Sequence, residues 1–176
     1  TKILGLELIN IMVELVGRLF LKHPKLLNMI SDSVLKSIAL ILETNTDDIL
    51  LMDKVLKVYT SIILSLGWFL PRQIELTLPR LFDKLCNASS PQFQAIIIER
   101  LSLLWMREPS LFINLFVRYD CSFDFQDLSS KFLDVMVEMS DPSKDLNVSI
   151  FALDALSTFI NNVHSQISKV DEEQFD

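Results

Sequence analysis

Residues 96–136, IIIERLSLLWMREPSLFINLFVRYDCSFDFQDLSSKFLDVM, decide the fold. The stretch begins inside an apolar helix. Phe93, Ile97, Leu101 and Leu104 recur at three- and four-residue spacing on one face, and Ile98 and Trp105 form a second face. Glu99 and Ser102 leave only a narrow polar strip, which predicts a helix buried between neighbours on both sides. Pro109 opens a short helix ending near Val117, proline being favoured at the first helical position. A third helix is expected from Phe125 to Met139, with Leu128, Phe132, Val135 and Met139 in register. Between the last two lies a polar knot, Arg118-Tyr119-Asp120-Cys121. It reads as a turn in which Tyr119 plugs a gap between helix layers, Asp120 accepts backbone N–H bonds and Cys121 is small enough to bury. A rigid polar loop of this kind is either a stiff turn or a docking surface.

The same reading extends outward in both directions. Leu4, Leu8, Ile11, Leu15 and Leu19 stripe a first helix over residues 3–20, where Gly5 and Gly17 allow close packing. Pro24 opens a second helical region that breaks near Ser31-Asp32 and resumes from Val34 to Leu42. Thr46 is the expected N-cap of a helix reaching Leu66, with Asp47 and Asp48 in its first turn and Gly67 in a left-handed terminal position. Trp68-Phe69-Leu70 forms an apolar corner; Trp68 and Trp105 are expected in the core, with Trp68 as a possible surface anchor. Pro71 starts a helix to Cys86 that carries Pro79 inside it, where a kink is expected. Ser90 caps the next helix and Asp145 the last, in which Val148, Ala152, Leu156, Phe159, Val163 and Ile167 form a regular stripe. The result is a single domain over residues 1–170 and an acidic, frayed tail over 171–176. The fold class is all-α. About eight helices in antiparallel pairs, some forty residues per pair and without strand signals, point to an armadillo- or HEAT-like α-solenoid. A closed helical bundle has the same periodicity and stays open as an alternative.

Half of the 176 residues are hydrophobic and only 3 are glycine, as befits long helices with short connections. The net charge of −7 and the lack of a basic stripe exclude nucleic acid as an expected partner. Mean hydropathy is high, at +0.36. Residues 3–20 nevertheless carry Glu7, Asn10, Glu14 and Arg18, and residues 59–70 are too short to span a bilayer. Cys86 and Cys121 lie far apart without ligand spacing, which indicates a reducing compartment and no metal site. His23 precedes a helix and His164 falls on the polar side of the last one; neither pairs with a nucleophile in a recognisable motif. No phosphate-cradling loop is present. No catalytic residue, cofactor-binding residue or metal ligand is therefore assigned, the chain is not expected to be an enzyme, and its function is expected to lie in what it binds.

The central stretch resembles the HUS domain of the large Golgi ARF guanine-nucleotide exchange factors of the Sec-seven class. The hallmark of that domain is an Asn-Tyr-Asp-Cys-Asp box after an aliphatic-aromatic run. Here the box reads Arg118-Tyr119-Asp120-Cys121-Ser122, matching at its three central positions and departing at both flanks. ILGLELINIMVE (residues 3–14), FLPRQIELTLPRLFDKL (69–85) and FALDALSTFI (151–160) are similar to the Gea/GBF branch more than to BIG-type factors. The resemblance implies an armadillo-like regulatory module of a cytoplasmic protein, peripheral on Golgi membranes and acting in vesicle-mediated protein transport and the regulation of ARF signalling. It implies a homodimeric parent whose upstream dimerisation module is held through the box, and ARF- or Rab-type small GTPases as partners of that parent. The catalytic exchange domain is not in this segment, so no glutamate here takes its role. A transport scaffold without exchange activity, of the Mon type or an unrelated adaptor, is the alternative.

Overall fold

A computed structural model describes the backbone of residues 2–44, 48–88, 90–121 and 127–175, and the side chains of these except 112, 115, 116, 118, 119, 167 and 169–175. The helices are α1 (Lys2–Val16), α2 (Pro24–Met29), α3 (Lys36–Glu43), α4 (Ile49–Leu66), α5 (Pro71–Cys86), α6 (Pro91–Arg107), α7 (Pro109–Asp120), α8 (Leu128–Met139) and α9 (Leu146–Phe175). No strand occurs among the described residues. Prolines open α2, α5, α6 and α7, where a missing N–H costs nothing and a fixed φ suits the first turn.

The packing forms two layers. In the first, α1 lies on α4, α4 on α6, and α6 on α9; in the second, α3 lies on α5 and α5 on α8. Cross-links give the helix directions. Along the α1–α4 seam, Glu7 meets Lys54 at 3.0 Å, Asn10 accepts from the Ser61 hydroxyl at 2.8 Å, and Gly17 abuts Ser65. Residue numbers rise together, so the two helices run parallel. In the second layer Gln73 bonds Ser31 and Arg80 bonds Glu43, while Asp83 bonds Lys131 and Cys86 bonds Glu138. These neighbours are parallel as well. Helices parallel within a layer and reversed between layers are the signature of a solenoid. An up-and-down bundle makes neighbours antiparallel. The fold is therefore an all-α solenoid, with the first-layer helices starting at Lys2, Ile49, Pro91 and Leu146.

The core lies between the layers. Leu56, Ile62, Phe82, Ile97, Leu101, Trp105 and Phe132 are essentially buried. Trp105 of α6 meets Phe132 of α8 edge-on at 4.7 Å, and Phe132 meets Phe159 of α9 at 5.1 Å, so one aromatic cluster ties three helices. Asp53 of α4 holds Arg100 of α6 at 2.7 Å, and the Tyr59 and Thr77 hydroxyls lie 3.0 Å apart across the layers.

Several expectations change. No break interrupts residues 24–43: a π-helical segment, Ile30–Leu35, carries α2 into α3 and buries Ile30 and Leu35. The cap of α4 is Asp48, whose Oδ1 accepts the Leu51 N–H at 3.0 Å; Thr46 and Asp47 lie outside the described residues. Gly67 is right-handed (φ −54°, ψ −37°), because the chain runs on into a 3-10 turn, Gly67–Phe69. What this position requires is space: a Cβ there would lie 3.2 Å from Leu111. Trp68, expected in the core, is 53% exposed, since that turn swings it out of the layer. Ser90 caps α6 through its backbone carbonyl, which accepts the Phe93 and Gln94 N–H groups. Pro79 lies buried inside α5, which continues to Cys86. Asp145 caps α9 as expected, accepting the Asn147 N–H at 2.9 Å. The backbone of α9 continues through residues 171–175. Within α9, Leu146–Gln166 is long and apolar enough to cross a membrane by length and composition. Here it is the outermost helix of the first layer, with Val148, Ala152 and Ala155 buried against its neighbours.

Candidate protein-interaction site

The box was expected to be a turn between helices. Instead α7 continues through it to Asp120, and the Cys121 N–H still bonds the Val117 carbonyl at 2.9 Å. Nothing in Val-Arg-Tyr-Asp stops a helix: glycine and proline are absent and the orphan carbonyls are met by one more turn. Arg118 and Tyr119 therefore sit in the last turn of α7; their side chains, and the whole of Ser122, lie outside the described residues. Cys121, expected to be buried, is exposed, because it follows the helix end on the solvent side.

Asp120 accepts backbone and hydroxyl bonds, as its residue type implied. Its Oδ1 takes the Ser129 N–H at 3.3 Å, and its Oδ2 takes the Ser129 hydroxyl. Ser129 is in the first turn of α8, where free N–H groups and the helix dipole favour an anion. Asp127 supplies the cap proper, accepting the Ser130 N–H at 3.1 Å. Two carboxylates thus converge on the start of α8. One arrives from the box, across residues 122–126, and fastens the end of α7 to the beginning of α8. The expected start of this helix at Phe125 shifts to Leu128; residues 125 and 126 lie outside the described residues.

Sequence reasoning did not find the other marked surface. On α1, Leu4, Leu8, Ile11 and Leu15 all face solvent, Leu15 at 78%. Their 4-3-4 spacing is that of a helix-packing seam. The stripe is visible in the sequence as an apolar face, but nothing local says which side of the helix meets a neighbour. Val13 and Asn10 on the opposite side are the ones buried against α4. There the Ser61 hydroxyl donates to Asn10, and the Asn10 amide donates to Glu14 at 2.8 Å.

His23 and His164 are exposed. Burial, the nearby Glu138 carboxylate and a 3.7 Å thiol–carboxylate contact push the Cys86 thiol up to about 11, so at neutral pH it is a poor nucleophile. Among the described residues no group of three or more His, Cys, Asp or Glu is placed to hold a metal ion.

A two-layer arrangement with an uncovered apolar helix at one edge, and Asp120 clamping two of its helices, belongs to the class of helical-repeat solenoids. The Sec7-like HUS family, described as "Mon2/Sec7/BIG1-like, HUS domain", matches residues 1–128, and the chain belongs to that family. It is similar to ARF guanine-nucleotide exchange factor 1 of Saccharomyces cerevisiae, 35% identical over 98% of this chain and 13% of the relative. It is also similar to ARF guanine-nucleotide exchange factor 2 of the same yeast, 33% identical over 99% of this chain and 13% of that relative. The chain thus spans about an eighth of the length of the curated relatives it matches.

Proposed function

We propose that this chain is a non-catalytic regulatory and scaffolding domain of an ARF guanine-nucleotide exchange factor acting in Golgi vesicle traffic. It docks the parent's upstream dimerisation module and couples membrane and small-GTPase binding to exchange. The parent is a cytoplasmic homodimer, peripheral on Golgi membranes, which loads ARF-type GTPases through a domain outside this segment. Residues 1–170 act as one regulatory unit. The observation that carries this reading is the exposed Leu4-Leu8-Ile11-Leu15 seam on the first helix of a solenoid layer. A seam of this kind is completed by another helix laid against it. The box contributes as well: Asp120 fixes the α7–α8 corner, and Arg118, Tyr119, Cys121 and Ser122 are the other box positions through which the domain would meet its partner.

The test is calorimetric titration of this chain with the upstream module of its own parent. Leu8→Glu/Leu15→Glu should abolish binding, since two charges would enter an apolar helix seam. Both positions are exposed, so circular dichroism should be unchanged. Asp120→Ala should weaken binding if the box presents part of the surface. Unchanged binding in the double variant would remove the seam from the interface, and no binding by wild type would reject the docking role.

A further inference from the structure

We propose that the outer groove between α6 and α9 is a docking site for a cationic amphipathic helix of a partner protein. This site is separate from the α1 seam and does not depend on it. The two helices run parallel, and Asn162 of α9 ties their far end by donating to the Trp105 carbonyl at 3.0 Å. Above that buried contact their outward faces part into two hollows of about 270 and 590 Å³. Phe151 lines both, so the hollows form one trough. From Pro91 to Met106 the trough follows α6 for about 22 Å at 1.5 Å per residue, room for a helix of about 15 residues.

The floor of the trough is apolar, with Ala95, Leu103, Met106 and Phe151 in it. Met106 is 64% exposed, and a flexible thioether there can fit varied side chains. The walls are acidic: Glu99 stands on α6 and Asp154 on α9. Neither makes an ion pair or hydrogen bond among the described residues. Among the described residues no lysine or arginine lines either hollow. Arg100 turns the other way, into its pair with Asp53, and Arg107 stands outside the lining. Asp145, at the opposite end, is engaged as the cap of α9. Carboxylates on both walls of an apolar floor, without a partner among the described residues, complement a helix whose apolar stripe is flanked by lysine or arginine. The same charges repel nucleic acid and anionic lipid.

The test uses the full chain and a fluorescently labelled 15-residue amphipathic leucine–lysine peptide, with a leucine–glutamate twin, read by anisotropy. Three variants are compared with wild type: Glu99→Gln/Asp154→Asn, Phe151→Ala, and the control Asp32→Asn/Asp134→Asn, which removes equal charge from the second layer. All substituted side chains are exposed, and circular dichroism confirms the fold. The lysine peptide should bind saturably, more weakly at high salt, and should lose affinity about tenfold in the two groove variants but not in the second-layer control. No saturable binding, equal binding of the glutamate twin, affinity retained in the groove variants, or an equal loss in the second-layer control would each overturn the proposal. A concentration-dependent dimer that Phe151→Ala dissolves would also overturn it, since the groove would then hold a second copy of this chain.

Discussion

Gly17 shows how a single residue sets the spacing of a layer. It follows the last residue of α1, and a Cβ placed on it would lie 2.9 Å from the Ser65 Cβ of α4. A hydrogen there lets the first two helices of the layer close on one another and form the Asn10–Ser61 bond one turn earlier. Gly5, on the same helix, has nothing within 4 Å of its Cβ position. The two glycines should therefore respond oppositely to alanine. Gly17→Ala should destabilise by about 1–3 kcal/mol, the usual cost of overpacking. Gly5→Ala should stabilise by about 0.5–1 kcal/mol through reduced unfolded-state entropy and better helix propensity. Urea denaturation of both variants checks the pair, and equal shifts would mean that α1 and α4 slide apart freely. The sequence marks both glycines as places of close packing and cannot tell them apart, because the difference is the partner 48 positions away. Gly67 is similar: its position after a helix favours a left-handed cap, but Leu111, from another helix, sets its actual use.

At the scale of elements, periodicity carried most of the information. The stripes of α6, α8 and α9 were legible, as were the four prolines that open helices, because both signals are local. The end of α7 was not. Tyr-Asp-Cys looks like a turn when a family box draws attention to it, yet the helix has no local reason to stop there. The outcome changes the role of Asp120 from turn-former to clasp between two helices. Asp120 and Asp127 both serve the N-terminus of α8, so Asp127→Ala should cost about 1 kcal/mol as a lost cap, and Asp120→Ala a similar amount as a lost charge-assisted bond. Thermal or urea unfolding measures each. Asp120→Asn should retain part of the stability, since its amide oxygen can still accept the Ser129 N–H. If Asp120→Ala unfolds like wild type, the clasp does not hold in solution and the box is free to serve a partner alone.

Across the whole molecule, the choice between solenoid and bundle was beyond reach of periodicity, because both bury one stripe per helix. It was settled by long-range pairs such as Glu7–Lys54 and Asp83–Lys131, whose order along the chain makes same-layer neighbours parallel. A solenoid is close to one-dimensional: an interior helix is held on both sides and an end helix on one. Stability should therefore be graded along the layer rather than uniform. Native-state hydrogen exchange should find the slowest amides in α4, α5 and α6, which lie between neighbours. It should find faster ones in α1, whose outward face is bare, and in the last turns of α9. A closed bundle of this size predicts near-uniform protection set by global unfolding, so the profile alone distinguishes the two architectures. The same measurement bears on the proposed docking. An upstream helix laid on the α1 seam converts α1 from an end helix to an interior one. Its amides should then slow towards those of α4, while those of α9, at the opposite edge, stay as they were. A rise in protection spread evenly over all helices would mean that binding stabilises the domain as a whole and does not extend the layer.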